Sequence, residues 1–226
     1  SKAVVTVTAE NKSKTYYDNN PGLTLTYSGF KNGETDTVLD TAPSVNTTAT
    51  IASNAGTYPI DVSGGTDNNY TFTYVPGSLV VNKAPLTATS NATRVYGTAN
   101  PSFVITYTGF KNNETSSVID TAPTASTTAT TTSPVGSYPI TVTGGSDNNY
   151  SITTQNGTLT ITKATLTAVA DNKSYTTGQT WPTFTGTLTG VVSGDGITAT
   201  YTTTATASSP AGTYPITPQL ADPNSR

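Results

Sequence analysis

Apolar and polar residues alternate with a period of two through most of the chain, the pattern of half-buried β-strands. Residues 4–9 place Val5, Val7 and Ala9 on one face, and residues 86–90 and 166–170 repeat the pattern. The polar stretch NKSKTYYDNNP that follows reads as a loop closed by Asn-Pro turn chemistry. A second strand is expected over residues 23–27 (LTLTY), matched by residues 103–107 (FVITY), with the odd positions inward and the threonines outward.

The period then changes. In KNGETDTVLDTAP, Asn32 is placed to cap a helix with Glu34 and Asp36 in its first turn. Val38 and Leu39 would be its buried pair and Pro43 its stop. The next copy repeats the segment with Asn112, Glu114, Val118, Ile119 and Pro123. At most two helical turns fit.

Three further strands are expected. The first puts Val45, Thr47, Ala49 and Ile51 on one face, and the second points Tyr58, Ile60 and Val62 inward with Pro59 outward. Proline has no N–H for a ladder, so Pro59 belongs at a sheet edge or a strand start. Residues 70–74 then lead through Pro76-Gly77, or Asn156-Gly157 in the next copy, into residues 79–81 or 159–161. Asn-Gly is a strong hairpin signal.

These elements recur with a period of eighty residues, and such a period governs the whole fold. Pro101 falls on Pro21, Tyr107 on Tyr27, Gly109-Phe110 on Gly29-Phe30, Asp120 on Asp40 and Tyr150 on Tyr70. The expected modules are residues 1–84, 85–164 and 165–226. The third keeps Trp181-Pro182, Phe184 and AGTYPI, but VVSGDGITATY replaces the short helix, and it stops before a closing hairpin. The chain opens in mid-pattern, so it is expected to be a segment of a longer protein. Only Asn82-Lys83-Ala84-Pro85 separates the strands at the first boundary, too short and too poor in glycine for a flexible linker. Stiff head-to-tail stacking is expected. With a radius of gyration of about 12 Å per module, three would make a rod on the order of 100 Å.

Composition narrows the function more than the fold. Threonine is the commonest residue, hydrophobic residues make up 33%, charged residues 10%, and Cys, Met and His are absent. No disulfide framework or thiolate metal site is available. A chain with nothing to oxidise and nothing to titrate near neutral pH suits an extracellular or cell-surface setting. The net charge of −3 argues against a nucleic-acid partner. No apolar run is long enough to span a bilayer as a helix, so no membrane insertion of this segment is expected.

Tyr96-Gly97, Asn100-Pro101, Phe103, Tyr107, Gly109-Phe110, the Gly-x-Tyr-x-Ile strand and the closing NGTLTITKA resemble the MBG-type (YGX-like) repeats of large bacterial surface proteins. The resemblance covers nearly the whole chain. It is strongest in the second copy, with Tyr17 in place of the glycine in the first copy and the helix segment and hairpin missing from the third. It implies tandem modules of a secreted, adhesin-like protein with a β-grasp-like fold. No catalytic or binding residues come with it.

The candidate chemistry is sparse. Asp36 with Asp40, or Glu34 with Asp40, form carboxylate pairs, but a capped, solvated helical turn explains them. Without His or Cys the common nucleophilic triads are excluded, and no enzyme activity, cofactor, catalytic residue or metal site is expected. Asp67 and Asp147 sit beside two asparagines in glycine-rich loops and could offer oxygens to calcium. Calcium's six to eight ligands at EF-hand-like spacing are missing, so local turns are the expected role. Tyr16, Tyr17, Tyr96 and Trp181 offer rings for stacking on a sugar, but the equivalence of their positions favours packing in the core or between modules. Threonine arrays as an ice-binding face fail for want of a flat ladder of short repeats. Lys83 and Lys163 recur before the boundaries, where an isopeptide crosslink to asparagine needs burial beside an acid and a solvated lysine needs nothing. The N-x-S/T triplets are expected by chance in so Asn- and Thr-rich a chain.

The expectation is a mostly β protein of tandem β-grasp-like modules, each with one short helix, and an immunoglobulin-like sandwich as the alternative, which predicts no helical turn at residues 34–39. The expected role is a stalk, spacer or fibre segment whose partners are neighbouring repeats. The alternatives are a glycan- or protein-binding module using loop aromatics, and a filament-forming subunit.

Overall fold

The computed structural model of the chain describes residues 1–223. The first copy contains β1 (Ala3–Ala9), β2 (Lys12–Thr15), β3 (Leu25–Ser28), β4 (Ser44–Thr47), β5 (Gly56–Ser63), β6 (Tyr70–Val75) and β7 (Gly77–Asn82). They form two small sheets. One has the order β3-β1-β6, with β1 antiparallel to β3 and parallel to β6. The other has the order β2-β7-β5-β4, with β2 and β7 parallel and the remaining pairs antiparallel. Alternation on β1 buries Val5, Val7 and Ala9. Ala9 and Leu25 of the first sheet pack with Ile60 and Leu79 of the second, while Val62 reaches Val5, Val7 and Tyr70. The module core lies between the sheets.

The second copy repeats the set as β8 (Ala84–Thr89), β9 (Ala92–Val95), β10 (Thr106–Thr108), β11 (Thr124–Ser126), β12 (Gly136–Thr143), β13 (Tyr150–Thr154) and β14 (Gly157–Thr162). Its sheets have the orders β10-β8-β13 and β11-β12-β14-β9, with β8 antiparallel to β10 and parallel to β13, and β14 antiparallel to β12 and parallel to β9. The third copy contributes two antiparallel pairs, β15 (Thr167–Ala170) with β16 (Gly186–Thr189) and β17 (Thr198–Thr203) with β18 (Ile216–Ala221).

Two compact units divide the chain. One comprises residues 1–89, 105–124 and 142–155, so it holds the first copy with β8, β10 and β13. The other comprises residues 90–104, 125–141 and the chain from 156 onward, and holds β9, β11 and β14 with the third copy. Each boundary between copies therefore falls inside a compact unit.

The fold is mostly β, and the helix expected in each module is not there. Among the described residues the helical content is one 3₁₀ turn in each of the first two copies, Asp36–Val38 and Ser116–Val118. Asn32 has φ +57°, so it cannot cap a helix; with Gly33 it makes a tight turn closed by Glu34 N–H to the Lys31 carbonyl. Glu34 is then committed to Tyr70 rather than to a first helical turn. Val38 is 43% exposed, and only Leu39 joins the core. The β-grasp-like arrangement falls with the helix. Parallel pairs in both sheets also depart from the all-antiparallel immunoglobulin sandwich.

Three local expectations change as well. The stretch read as a polar loop contains β2, which exists because β7 lies beside it in register Lys12↔Leu79 to Thr15↔Asn82. Pro59 lies in an internal strand, not at an edge. Its carbonyl accepts from Thr47 Oγ1 at 2.7 Å, so its nitrogen faces β4 just beyond the last pair, Thr47↔Ile60, where no donor is needed. Pro76-Gly77 does not close a hairpin, because β6 and β7 belong to different sheets. The glycine is required by close approach, since a Cβ there would stand 2.6 Å from the Ala9 carbonyl oxygen. At Gly157 a Cβ would collide with the Ser90 carbonyl.

Candidate functional site: the junctions between repeats

At the first junction only Lys83 separates β7 from β8. Tyr16, at the end of β2, is 6% exposed and shares a core cluster with Val81, Ala84, Leu86 and Tyr150. The cluster therefore joins side chains of both copies. Tyr16 and Tyr150 meet edge to face with centroids 5.6 Å apart, and Phe110 meets Tyr150 in the same way at 5.3 Å. Edge-to-face pairing sets the positive ring edge against the negative face.

The polar centre of this junction is Glu114. Tyr16 Oη donates to Glu114 Oε1 at 2.9 Å and Tyr150 Oη to Oε2 at 2.5 Å, so one carboxylate bridges two copies. Tyr150 Oη also accepts from the Lys111 N–H at 2.9 Å. Around it, Lys111 Nζ pairs with Asp18 at 3.1 Å, and Asn149 accepts from the Ala55 N–H and donates to Asn54 Oδ1. Lys83 Nζ donates to the Asp147 carbonyl at 2.7 Å. Burial, and secondly the hydrogen bond to Glu114, push the Tyr16 phenol up to about 12. The same causes in the same order raise Tyr150 further.

This arrangement predicts an alkaline weakness. A phenol that titrates near 10 in the unfolded chain and higher in the folded one stabilises the folded state only while protonated. That contribution is full below pH about 10 and is lost as pH rises through about 12. Tyrosinate absorbance titration should show a late-ionising class of tyrosines, smaller by one group in Tyr16→Phe, together with falling thermal stability across that window.

The second junction uses the same device with different residues. Tyr96 is 8% exposed and its Oη donates to Asp195 Oδ1 at 2.6 Å. Val192 packs against the cluster of Tyr96, Ile140, Leu159 and Ile161. Gly97 has φ +81°, and a Cβ on it would collide with the Val192 side chain, which is the physical demand behind Tyr-Gly. The third copy's VVSGDG segment, which lacks the short helix, thus supplies the carboxylate that Glu114 supplies in the second.

Asp67 Oδ1 accepts from the N–H groups of Asn69 and Tyr70, and Asp147 Oδ1 from Asn149 and Tyr150, at 2.7–2.9 Å, so both carboxylates close local turns. Glu34 accepts from Tyr70, and Asp120 accepts from the Asn148 N–H at 2.9 Å. Tyr17 takes the positive φ that Gly97 takes in the next copy. Trp181 is 36% exposed and is not with Tyr96; it lies with Tyr175 and Phe184 in a groove of the third copy.

Sequence reasoning missed Glu114 and Asp195 as junction acceptors. It also missed two buried bases. Lys14 Nζ donates to the Asp18 and Thr50 carbonyls, and Arg94 reaches Asn100 Oδ1 and the Val95 and Thr130 carbonyls. Both hold the tyrosine loop to the loop after β4 or β11. A base eighty residues from a base was the available signal. Asn20 and Asn100 of the two Asn-Pro motifs brace the same place, donating to the Ala49 and Ala129 carbonyls.

No curated protein matches the chain. The MBG domain of YGX type matches it three times, at residues 5–80, 86–160 and 166–224, and with nearly the whole length covered the chain belongs to the family of YGX-type MBG domains.

Proposed function

We propose that the chain is a structural, non-enzymatic repeat segment of a secreted or surface-displayed protein, a stalk that spaces and supports a functional region elsewhere. The tandem family repeats support a module of a larger protein. The observation that carries the stalk reading is the first junction. A single residue separates the strands, a shared core spans the boundary, and Glu114 ties Tyr16 to Tyr150. A spacer that transmits force or keeps direction needs this kind of joint, since flexible joints let modules turn independently. Surface display is supported by a chain without Cys, Met or His and poor in charge.

Backbone nitrogen relaxation tests the joint. Amides of β7 and β8 should share one rotational correlation time, and Glu114→Ala should shorten it on one side or both. Separate correlation times in the unaltered chain would sink the stalk reading. Surface labelling of producing cells with an antibody to the chain tests the location.

A further inference from the structure

Asparagine or aspartate precedes glycine at Asn32-Gly33, Asn156-Gly157 and Asp195-Gly196. Such bonds share a latent reaction, in which the glycine nitrogen attacks the side-chain carbonyl carbon of the residue before it. Glycine favours the attack because it has no side chain to crowd its nitrogen and few restrictions on its dihedrals. The three bonds have the same local chemistry and very different surroundings.

Asn32 and Gly33 are both exposed, with φ +57° and +75°. Their turn is closed by the Glu34 N–H to the Lys31 carbonyl at 2.9 Å, which leaves the Gly33 nitrogen outside that bond. Nothing stands within 4 Å of the place a Gly33 Cβ would take, so the peptide can rotate without displacing a neighbour. Gly157, by contrast, opens β14 opposite Ile140 and lies so close to the Ser90 carbonyl that a Cβ would collide with it. The next N–H, of Thr158, is held by Asn91 Oδ1 at 2.8 Å, so rotation there would lift the start of a strand. Asp195 is 5% exposed, and its carboxylate, a poorer electrophile than an amide, already accepts from Tyr96. The second copy builds its turn from Lys111-Asn112-Asn113-Glu114, with φ +50° and +55° at the two asparagines. There each asparagine precedes a residue whose side chain crowds the attacking nitrogen.

We propose that Asn32 is a self-modification site, which deamidates through Gly33 with water as the only co-reactant. The Gly33 nitrogen loses its proton to solvent and bonds to Asn32 Cγ. The Cγ–Nδ2 bond breaks, ammonia leaves with the proton, and a five-membered succinimide remains. Water then opens the ring at one of its two carbonyls. One opening gives aspartate at position 32, and the other routes the main chain through the side-chain carbon as isoaspartate. Water enters, ammonia leaves, and nothing is oxidised or reduced. Both products add a negative charge two residues from Glu34. Isoaspartate also lengthens the turn in which the Lys31 N–H donates to Tyr70 Oη at 2.9 Å and Glu34 accepts from that hydroxyl at 2.5 Å. The first copy thus carries an age mark that loosens its own tyrosine clamp, while the turn bearing Glu114 is protected. The inference goes beyond the stalk reading and is independent of it, so either can fail without the other.

The full chain is aged in mildly alkaline buffer, folded and in urea, and its products are mapped by mass spectrometry with fragmentation that tells isoaspartate from aspartate. In the folded chain, conversion at position 32 should outrun that at position 156 by about tenfold or more, since one ladder hydrogen bond lost on the way to the succinimide costs about that factor. In urea the two Asn-Gly bonds should convert at similar rates. Hydrogen exchange at the Lys31 amide should be faster in the isoaspartate fraction. Gly33→Asn, which copies the turn of the second copy, should suppress conversion at position 32 and leave thermal unfolding unchanged. Equal conversion at positions 32 and 156 in the folded chain overturns the proposal. So does conversion at position 32 that folding slows as much as it slows position 156, because the turn would then shield Gly33. An unchanged Lys31 amide in the isoaspartate fraction overturns the loosening of the clamp.

Discussion

Leu79→Ala is expected to destabilise the first copy by about 2–5 kcal/mol, the range for deleting a buried leucine and leaving a cavity. Leu79 is fully buried on β7, the strand that pairs with both β2 and β5, and its side chain lies among Ala9, Ala49 and Ile60. The neighbours are backbone-anchored strands from two sheets and cannot close the space left behind. Leu159→Ala should cost a similar amount, because Leu159 holds the same position on β14. Urea unfolding followed by residue-resolved hydrogen exchange distinguishes the two, and each loss should be centred on its own copy. A cost below about 1 kcal/mol would mean that β7 is peripheral to the core, against the packing described.

Glu114→Ala is the second large effect, expected at about 2 kcal/mol. Hydrogen bonds to a charged group are worth about 1.5–3 kcal/mol each, and the partial exposure of Glu114 brings the two together down to about the worth of one. The variant also leaves the buried Tyr16 hydroxyl without its acceptor. Glu34 is an internal control, because it accepts from Tyr70 as Glu114 accepts from Tyr150 but, among the described residues, receives no second tyrosine. Glu34→Ala should therefore cost less than Glu114→Ala. Tyr16→Phe should lower stability in the unaltered chain and have almost no effect beside Glu114→Ala, a coupling that a double-mutant cycle reads directly. Equal effects at Glu34 and Glu114 would remove the carboxylate bridge from the account of the junction.

Much of the strand content was legible in the alternation itself. Val5, Val7 and Ala9 alternate because only one face of β1 meets a core, and a period of two records that directly. The repeat told the residues apart again, since Tyr58 and Tyr138, or Asp67 and Asp147, perform the same task eighty residues apart. The helix was misread because Asn32, Glu34 and Asp36 form a plausible helix start locally. Its failure comes from Asn32 in a left-handed turn and Glu34 drawn to Tyr70, thirty-six positions along the chain. The Asn-Gly signal was misread for a related reason. A hairpin and a crossing between sheets want the same residue, and only the Ala9 and Ser90 carbonyls decide which is built.

The sequence by itself determined the module, its period, the inward faces of its strands and the shortness of the boundaries, because each of these is written in local alternation or in repetition. The tertiary structure alone decided the sheet partners and the junction. β2 is a strand because β7 lies beside it, and the matching residues 172–175 of the third copy form none where no such partner pairs with them. Glu114 and Asp195 take the same part at successive junctions although they lie in loops of different length and sequence. Pairing and bridging depend on distances between residues far apart in the chain, and a one-dimensional pattern carries those distances only where the chain happens to repeat itself.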